Sequence, residues 1–501
     1  MGKFTVTEVD KGINKEAPSD SVVWADGRNV RFKRGKVYKT PGIETKLMST
    51  EGLRPQAIFT YMNASKEIFV LVCNKQSVWA SNLIAPTAKI NGSLRFGIRD
   101  GRTVTDLADN ALWSFMMIGG LPVLSNGLNT PYKIVPGSST MATLSNAPTF
   151  KTGMTHLQRA LVGNVTVNSV NWPARIMWSG IANPEDWTVG MGSEAGYRDL
   201  IDPYTGRVAA EIIYRMVNVE DTPYIFTDRN IWTVIPARQP AIYTEKILYH
   251  GIQLVTPKAL TVPGLAENDK RCYFMTTTSF YSLGPDGIKE LPRDIRDYAF
   301  SSINLAAAAN IFAFKKQGTD EVWFCVPTGD NTFPDTAFVY NEERNNWTIC
   351  DCGDIATYGG EFTLDICGSP DGIVRFMDTG TTTIYGSPID AYIETGDICI
   401  TDNGNMLEEV NKYINTVIPL MTQDSTSSGV LYIQVGTKKR LDDKELQWSK
   451  ASEYKIGYSH KADFRVCAPG WFRIRYRTWQ KNSPFSLRGY QVDYTLGGKK
   501  R

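Results

Sequence analysis

Short apolar runs alternate with tight polar turns along most of the chain. In residues 66–80, an apolar strand turns at Asn74 and Lys75, and a second strand follows that carries Trp79. Runs of this length, bounded by Asn, Asp or Gly, are typical of β-hairpins. Further hairpins are predicted at residues 111–135, 158–178, 223–235, 271–283, 321–349 and 364–377.

Helical periodicity is scarce. The best helix candidate is the alanine-rich segment at residues 301–312, which contains no Gly or Pro, and weaker candidates lie at residues 207–216 and 405–413. The pattern therefore predicts an all-β protein.

The spacing of the hairpins favours a β-propeller over residues 56–380. These 325 residues, at about 40 to 55 per four-stranded blade, give six or seven blades. Radial closure also protects the sheet edges that an open row of hairpins would expose. The same strands are compatible with a pair of β-sandwiches, which is the alternative architecture. We expect residues 1–55 to form an extended segment that either completes the propeller or contacts a neighbouring molecule.

The pattern changes after Gly380. Residues 379–388 are rich in turn formers, and the strands that follow are longer and alternate more cleanly. In the strand at residues 471–477, apolar side chains occupy one face and arginines occupy the other. We therefore expect an additional β-sandwich-like domain over residues 381–501.

Composition excludes several classes of protein. With 42% hydrophobic, 11% aromatic and 21% charged residues, the 501-residue chain has enough apolar mass for a large core and is not disordered. The eight cysteines include no Cys-x-x-Cys pair, and the three histidines are isolated, so no zinc framework, disulfide scaffold or cofactor is predicted. Cys350, Cys352 and Cys367 are expected to be buried strand residues in a reduced protein. The first residues do not form a signal peptide, and no apolar stretch approaches the length of a membrane span.

No catalytic signature is present. The chain lacks a Gly-x-Ser-x-Gly elbow and a phosphate-binding glycine loop, and residues 284–287 and 369–372 only partly match the sialidase-type box. A carboxylate pair for glycoside hydrolysis would be assembled across blades and leaves no local signature. Acidic residues that fit such a pair lie in predicted turns, and they are Glu185, Asp186, Asp330, Asp335 and Asp354. We expect no catalytic residues and no enzyme activity.

Basic residues are concentrated in two segments, although the whole chain carries a net charge of only +2. Residues 28–39, the first basic segment, have a net charge of +6, and residues 465–501, the second basic segment, have +8, which leaves −12 elsewhere. Such separation suits two surfaces of opposite sign that meet across a subunit contact or face phosphates, although solvated strand faces would give the same pattern. The predicted subunit or adaptor interface consists of Arg28, Arg31, Lys33, Arg34, Lys36, Arg473, Arg475 and Arg477.

Several segments resemble one family. The run NVRFKRGKV at residues 29–37, followed by TPGI at residues 40–43, is similar to the N-terminal signature of tail nozzle proteins of short-tailed bacteriophages, also described as packaged-DNA stabilisation proteins. Further similarity lies at residues 175–187, 224–232, 340–347 and 483–490. The similarity extends from about residue 25 to about residue 495, and it consists of structural motifs without a catalytic signature.

The resemblance implies a structural virion protein, assembled in the cytoplasm of the bacterial host. Such a subunit forms a homo-oligomeric ring, usually a hexamer, below the portal and adaptor rings. The ring retains packaged double-stranded DNA, conducts it during ejection and docks fibres or spikes. A conduit lined with fixed positive charge would trap phosphates, so we expect the acidic remainder of the chain to face the DNA. No membrane partner is expected.

Two other functions remain open at this point. The chain could be a receptor-binding or glycan-degrading propeller of the virion, or a cellular propeller scaffold. A degrading enzyme would need two close carboxylates with shifted pKa values in one pocket. A scaffold would bind host partners without associating with virus particles.

Overall fold

The computed structural model describes residues 2–16, 23–50, 52–63, 65–82, 94–97, 107–108, 110–135, 141–144, 146–190, 192–237, 242–261, 270–316, 319–361, 364–379, 383–402, 405–422, 429–481 and 483–499. Their regular secondary structure is almost entirely β-strand. Consecutive strands pair antiparallel into sheets, and no sheet between residues 57 and 351 borrows a strand from a distant segment. This meander pattern is the one the hairpin spacing predicts.

Seven such sheets follow one another and are the blades of a propeller. Blade 1 contains the strands Ala57–Met62, Ile68–Cys73, Ser77–Asn82 and Leu94–Gly97. Blade 2 contains Ser114–Ile118, Leu121–Ser125, Tyr132–Ile134 and Met141–Thr143. Blade 3 contains Thr149–His156, Arg159–Val167, Val170–Trp178 and Gly196–Asp199. Blade 4 contains Ile213–Val219, Thr222–Thr227, Asn230–Pro236 and Tyr243–His250. Blade 5 contains Cys272–Met275, Phe280–Gly284 and Gly287–Glu290. Blade 6 contains Phe312–Lys315, Glu321–Val326, Thr336–Asn341 and Asn346–Asp351. Blade 7 contains Thr357–Glu361, Leu364–Gly368 and Ile373–Met377, joined by Ile43–Ser49 and then by Thr383–Ile384 and Ser387–Pro388.

The blades close into a ring. Each pair of neighbouring blades shares a separate hydrophobic cluster, and the seventh cluster joins blade 7 to blade 1 through Val374, Ile58 and Val72. At this junction Gly359 packs so closely on Ile58 that a Cβ atom would lie 2.9 Å from the Ile58 carbonyl oxygen. Because blades are covered on both faces, middle strands such as Glu321–Val326 are buried at every residue. The predicted propeller is confirmed, and the described strands give seven blades.

The N-terminal segment takes part in two structures. Ile43–Ser49 pairs antiparallel with Ile373–Met377 and so supplies the fourth strand of blade 7, which closes the ring with a strand from the start of the chain. Residues 2–39 contribute strands to two further sheets.

Two six-stranded sheets complete the fold, and each combines strands from both ends of the chain. One contains Val30–Lys33, Lys36–Lys39, Ser486–Lys499, Val410–Met421, Ala462–Ala468 and Gly2–Val6. The other contains Trp24–Arg28, Ala391–Thr395, Trp471–Thr478, Val430–Lys438, Gln447–Trp448 and Ser452–Lys455. Buried side chains from both sheets, among them Ile393, Ile414 and Ile474, share one core that continues into blades 5 and 6. A small ribbon pairs Thr401–Asp402 with Asn405–Met406, and the predicted boundary after Gly380 falls at residues 380–382, outside the described residues.

The helix predictions are largely wrong. The described helices are α1 (Arg296–Ser302) and a 3₁₀ helix (Leu305–Asn310), so the alanine-rich segment is not one continuous helix. Ile303 is extended, and the side chain of Asn304 accepts a hydrogen bond from the amide of Ala306, which starts a separate turn. Two other predicted helices are partly strand, in Ile213–Val219 and Val410–Met421, because tertiary pairing overrides weak local preference. Within the described residues, no helix is long and apolar enough to cross a membrane.

Candidate functional site

Arg31, from the first basic segment, is buried in a cluster of four charges. Its Nη1 lies 2.8 Å from Asp378, its Nε lies 3.4 Å from Glu321, and Lys316 also pairs with Asp378. Arg31 and Lys316 are 2% and 1% exposed. Burial alone would raise the pKa of Asp378, but Arg31 and Lys316 hold it well below its ordinary value. This cluster fastens the strand Val30–Lys33 to blades 6 and 7, so Arg31 does not lie on a surface.

The arginine row of the second basic segment is neutralised within the chain. Arg473 binds Asp397 through two hydrogen bonds of 2.6 and 3.0 Å, and Lys438 binds the same carboxylate at 2.8 Å. Arg475 pairs with Glu394 and Arg477 pairs with Asp390, each at 2.5 Å. Three guanidinium groups on one strand face would repel one another, and the neighbouring strand Ala391–Thr395, with the residues beside its ends, supplies the opposing charges. Arg28 is likewise paired, with Asp351.

Lys33, Arg34 and Lys36 differ from the other five predicted interface residues. They lie at the tip of the hairpin formed by Val30–Lys33 and Lys36–Lys39, whose turn has positive φ at Arg34 and Gly35. Lys33 and Arg34 are exposed and Lys36 is half-buried, and none of the three forms an ion pair with a described residue. We call these three residues the basic hairpin tip. It is the part of the predicted interface whose charge remains available to a partner.

The propeller channel holds a cavity of about 590 Å³. Its wall comes from all seven blades, because the inner strand or inner segment of each blade contributes. These segments lie within residues 54–62, 112–117, 153–155, 215–218, 257–260, 310–315 and 356–360. Much of the wall is apolar or aromatic, with Phe59 and Phe115 stacked at a centroid distance of 5.1 Å.

The described wall carries four cations and no carboxylate. The cations are Arg54, Arg215, Lys258 and Lys315. Lys315 pairs with Glu342 at 3.0 Å, and the guanidinium of Arg54 stacks 4.0 Å from the ring of Phe333. Arg215 and Lys258 form no ion pair with a described residue, and Arg215 makes one long hydrogen bond of 3.5 Å to the carbonyl of Trp113.

Arg54, Arg215 and Lys258 lie near one end of the channel, which we call the cationic entrance. Each lies at or next to the start of the segment that its blade contributes to the wall, and the inner strands of a propeller run in the same direction around the axis. Burial, together with the charges of Arg54 and Arg215, lowers the pKa of Lys258 to about 8. Burial lowers the pKa of Arg215 to about 10. No sequence pattern marks this group, because its members are far apart in the chain and belong to neither basic segment.

The residues considered for metal binding or catalysis have structural contacts. Cys350, Cys352 and Cys367 are buried, as predicted, and burial raises the pKa of each thiol. His156 is a core residue whose ring nitrogens contact Tyr243 Oη at 3.0 Å and the Asp221 carbonyl at 3.1 Å. Within the described residues no group of three potential ligands could hold a metal ion.

The acidic residues considered for glycoside hydrolysis do not meet in the channel. Glu185 pairs with Lys133, Asp186 accepts a hydrogen bond from Ser193, and Asp335 accepts two from Thr328. These contacts hold separate turns in place. The described wall of the cavity therefore offers no carboxylate pair.

Comparison with known proteins identifies neither a family nor a related protein. No protein-family model matches the chain, and no curated protein does. Among solved structures, virginiamycin B lyase from Staphylococcus aureus is 10% identical, with 66% of this chain and 98% of that chain covered and a TM-score of 0.38. YCF48 from Cyanidioschyzon merolae is 10% identical, with 67% and 98% covered and a TM-score of 0.37. The computationally designed Ika8 protein is 12% identical, with 66% and 99% covered and a TM-score of 0.33. Similarity at this level carries no argument about activity, and the fold rests on the chain's own sheet topology.

Proposed function

We propose that the chain is a structural subunit of a short-tailed bacteriophage tail. Copies form a ring that retains packaged DNA and conducts it during ejection. The segments that resemble tail nozzle proteins fall on structural turns in several parts of the fold. Residues 29–37 form the basic hairpin, residues 224–232 form a hairpin of blade 4, and residues 340–347 form a hairpin of blade 6.

The basic hairpin tip carries the proposal. The chain neutralises Arg28, Arg31 and the arginine row internally, whereas the three side chains of the basic hairpin tip form no ion pair with a described residue. The carboxylate of Asp10 accepts a hydrogen bond from the turn amide of Gly35 and lies beside these charges. Exposed charge of one sign favours a partner of the opposite sign and fixes the orientation of the contact. A neighbouring subunit or an adaptor ring with an acidic surface fits this requirement.

Charge reversal at the hairpin tests the proposal. Lys33→Glu with Lys36→Glu, supplied to a phage that lacks the gene, should prevent incorporation of the protein into particles. The matched control is Arg440→Glu with Lys444→Glu, which reverses two exposed charges elsewhere. Normal incorporation of a folded hairpin variant would contradict the proposed interface.

A glycan-degrading propeller is less well supported. It requires two carboxylates in one pocket, and the described wall of the channel has none. The clearing of host polysaccharide by the isolated protein would favour that function instead.

A further inference from the structure

The cationic entrance brings three positive charges together at the channel wall. Several half-buried or buried arginines of this chain have carboxylate partners, as Arg31 has Asp378 and Arg473 has Asp397. Buried Lys39, in contrast, contacts the carbonyl of Gln480. Arg215 and Lys258 are half-buried and lie near each other and near Arg54, without an ion pair to a described residue. Like charges that are partly desolvated together destabilise a folded protein. Such an arrangement is expected where a ligand supplies the missing negative charge.

We propose that the cationic entrance binds a small phosphate-bearing molecule, whose phosphate lies between Arg215 and Lys258 and beside Arg54. This inference does not depend on the proposed role in a phage tail.

The number and type of cations favour phosphate. A phosphate group carries more charge than a single carboxylate and offers three acceptor oxygens, which suits several converging donors. The guanidinium of Arg215 can donate two parallel hydrogen bonds, and the ammonium of Lys258 acts as a compact point charge.

The cavity fits a small molecule. Its volume of about 590 Å³ is in the range of sites for small ligands, about 300 to 1,000 Å³. Beyond the cations, the stacked rings of Phe59 and Phe115 offer an apolar surface to an organic group attached to the phosphate. A cavity of this size does not admit a nucleic-acid duplex.

Titration calorimetry of the full chain with inorganic pyrophosphate tests the proposal. The measurement is made at pH 7 and constant ionic strength, with the wild type, Arg215→Met and Lys258→Met. The controls, Arg229→Met and Lys246→Met, remove exposed cations from blade 4. We expect the wild type and both controls to bind pyrophosphate with similar affinity, and each channel variant to lose about tenfold or more, as loss of one charge-assisted contact implies.

The melting temperature without ligand gives a second readout. A cation that serves only the fold would lower the melting temperature when it is removed. A cation kept for a ligand should leave the melting temperature unchanged or raise it, because its removal relieves repulsion. Absence of pyrophosphate binding by the wild type would overturn the proposal, as would wild-type affinity in both channel variants.

Discussion

The buried charge cluster around Asp378 makes a quantitative prediction about how the N-terminal segment is held. Asp378 pairs with Arg31 from the strand Val30–Lys33 and with Lys316 from blade 6. The substitution Asp378→Asn removes the negative charge while keeping nearly the same shape. Asn also tolerates the positive φ of 54° at this position, so the backbone is not strained further.

The expected loss follows from the burial of the partners. Lys316 is fully buried, and among the described residues its ammonium group forms an ion pair with Asp378, which the substitution removes. Removing one partner of a buried ion pair typically costs about 3 to 5 kcal/mol. Because the side chain of Asp378 is 24% exposed, the lower end of that range applies, about 3 kcal/mol.

Urea denaturation followed by tryptophan fluorescence measures this loss. Trp323 lies 5.6 Å below the guanidinium of Arg31 and reports on the cluster directly. The control is Asp371→Asn, whose carboxylate is 52% exposed and 3.5 Å from Arg375. This control should cost less than about 1 kcal/mol, as exposed ion pairs do.

The same cluster predicts an acid dependence. The pKa of Asp378 in the folded protein lies well below its ordinary value of 3.8. Its contribution to stability is therefore present above pH 4 and is lost as the pH falls toward the folded pKa. The variant Asp378→Asn should lack this part of the acid dependence. If Asp378→Asn loses no more stability than Asp371→Asn, the cluster does not hold the N-terminal segment.

Three further predictions concern ring closure, the arginine row and the channel. Gly359→Ala should lower the free energy of unfolding by about 1 to 3 kcal/mol, because the new methyl group meets Ile58. At Gly353 the nearest atom to a new Cβ lies 4.0 Å away, so Gly353→Ala should be tolerated. Equal melting temperatures of the two variants would contradict this. Arg473→Ala should lower the free energy of unfolding in denaturant by about 3 kcal/mol, because its partner Asp397 is only 4% exposed. Arg477→Ala should lower it by less than about 1 kcal/mol, because this ion pair is exposed. Equal losses would show that burial does not set the difference. Lys258 has a folded pKa of about 8 against an ordinary 10.5, so the unfolded chain holds its proton longer. Stability should therefore rise between pH 8 and 9 relative to Lys258→Met, below the range in which Arg215, with a pKa of about 10, loses its proton. Parallel profiles would refute the lowered pKa.

The strand pattern predicted the propeller because its information is local. Turn residues such as Asn74 and the period of the hairpins lie close together in the sequence, and neighbouring strands in the blades are also neighbours in the chain. The alanine-rich segment misled the helix prediction, because helix propensity ignored the capping of a new turn by Asn304. The assignment of Ile43–Ser49 to blade 7 required a pairing across more than 300 residues, which no local pattern contains.

The predicted interface shows the same limit. The charge pattern of the sequence predicted that the arginine row at residues 473–477 forms a surface with a net positive charge. Its carboxylate partners lie about 80 residues earlier in the chain, so the pattern does not reveal them. They are Asp397, Glu394 and Asp390. Arg31 was marked for the same reason, although it is buried. The cationic entrance was missed for the opposite reason, since its three cations come from three different blades. Charge segregation in a sequence therefore identifies candidates, and strand pairing decides which of them remain without a partner.

The copy number of the protein in purified virus particles tests the proposed function most directly. Quantitative mass spectrometry against portal and capsid subunits should give about six copies per particle, as one sixfold ring at a single tail vertex requires. A multiple of three well above that number would favour a receptor-binding or glycan-degrading role. Absence of the protein from particles would contradict a virion function and favour a cellular propeller.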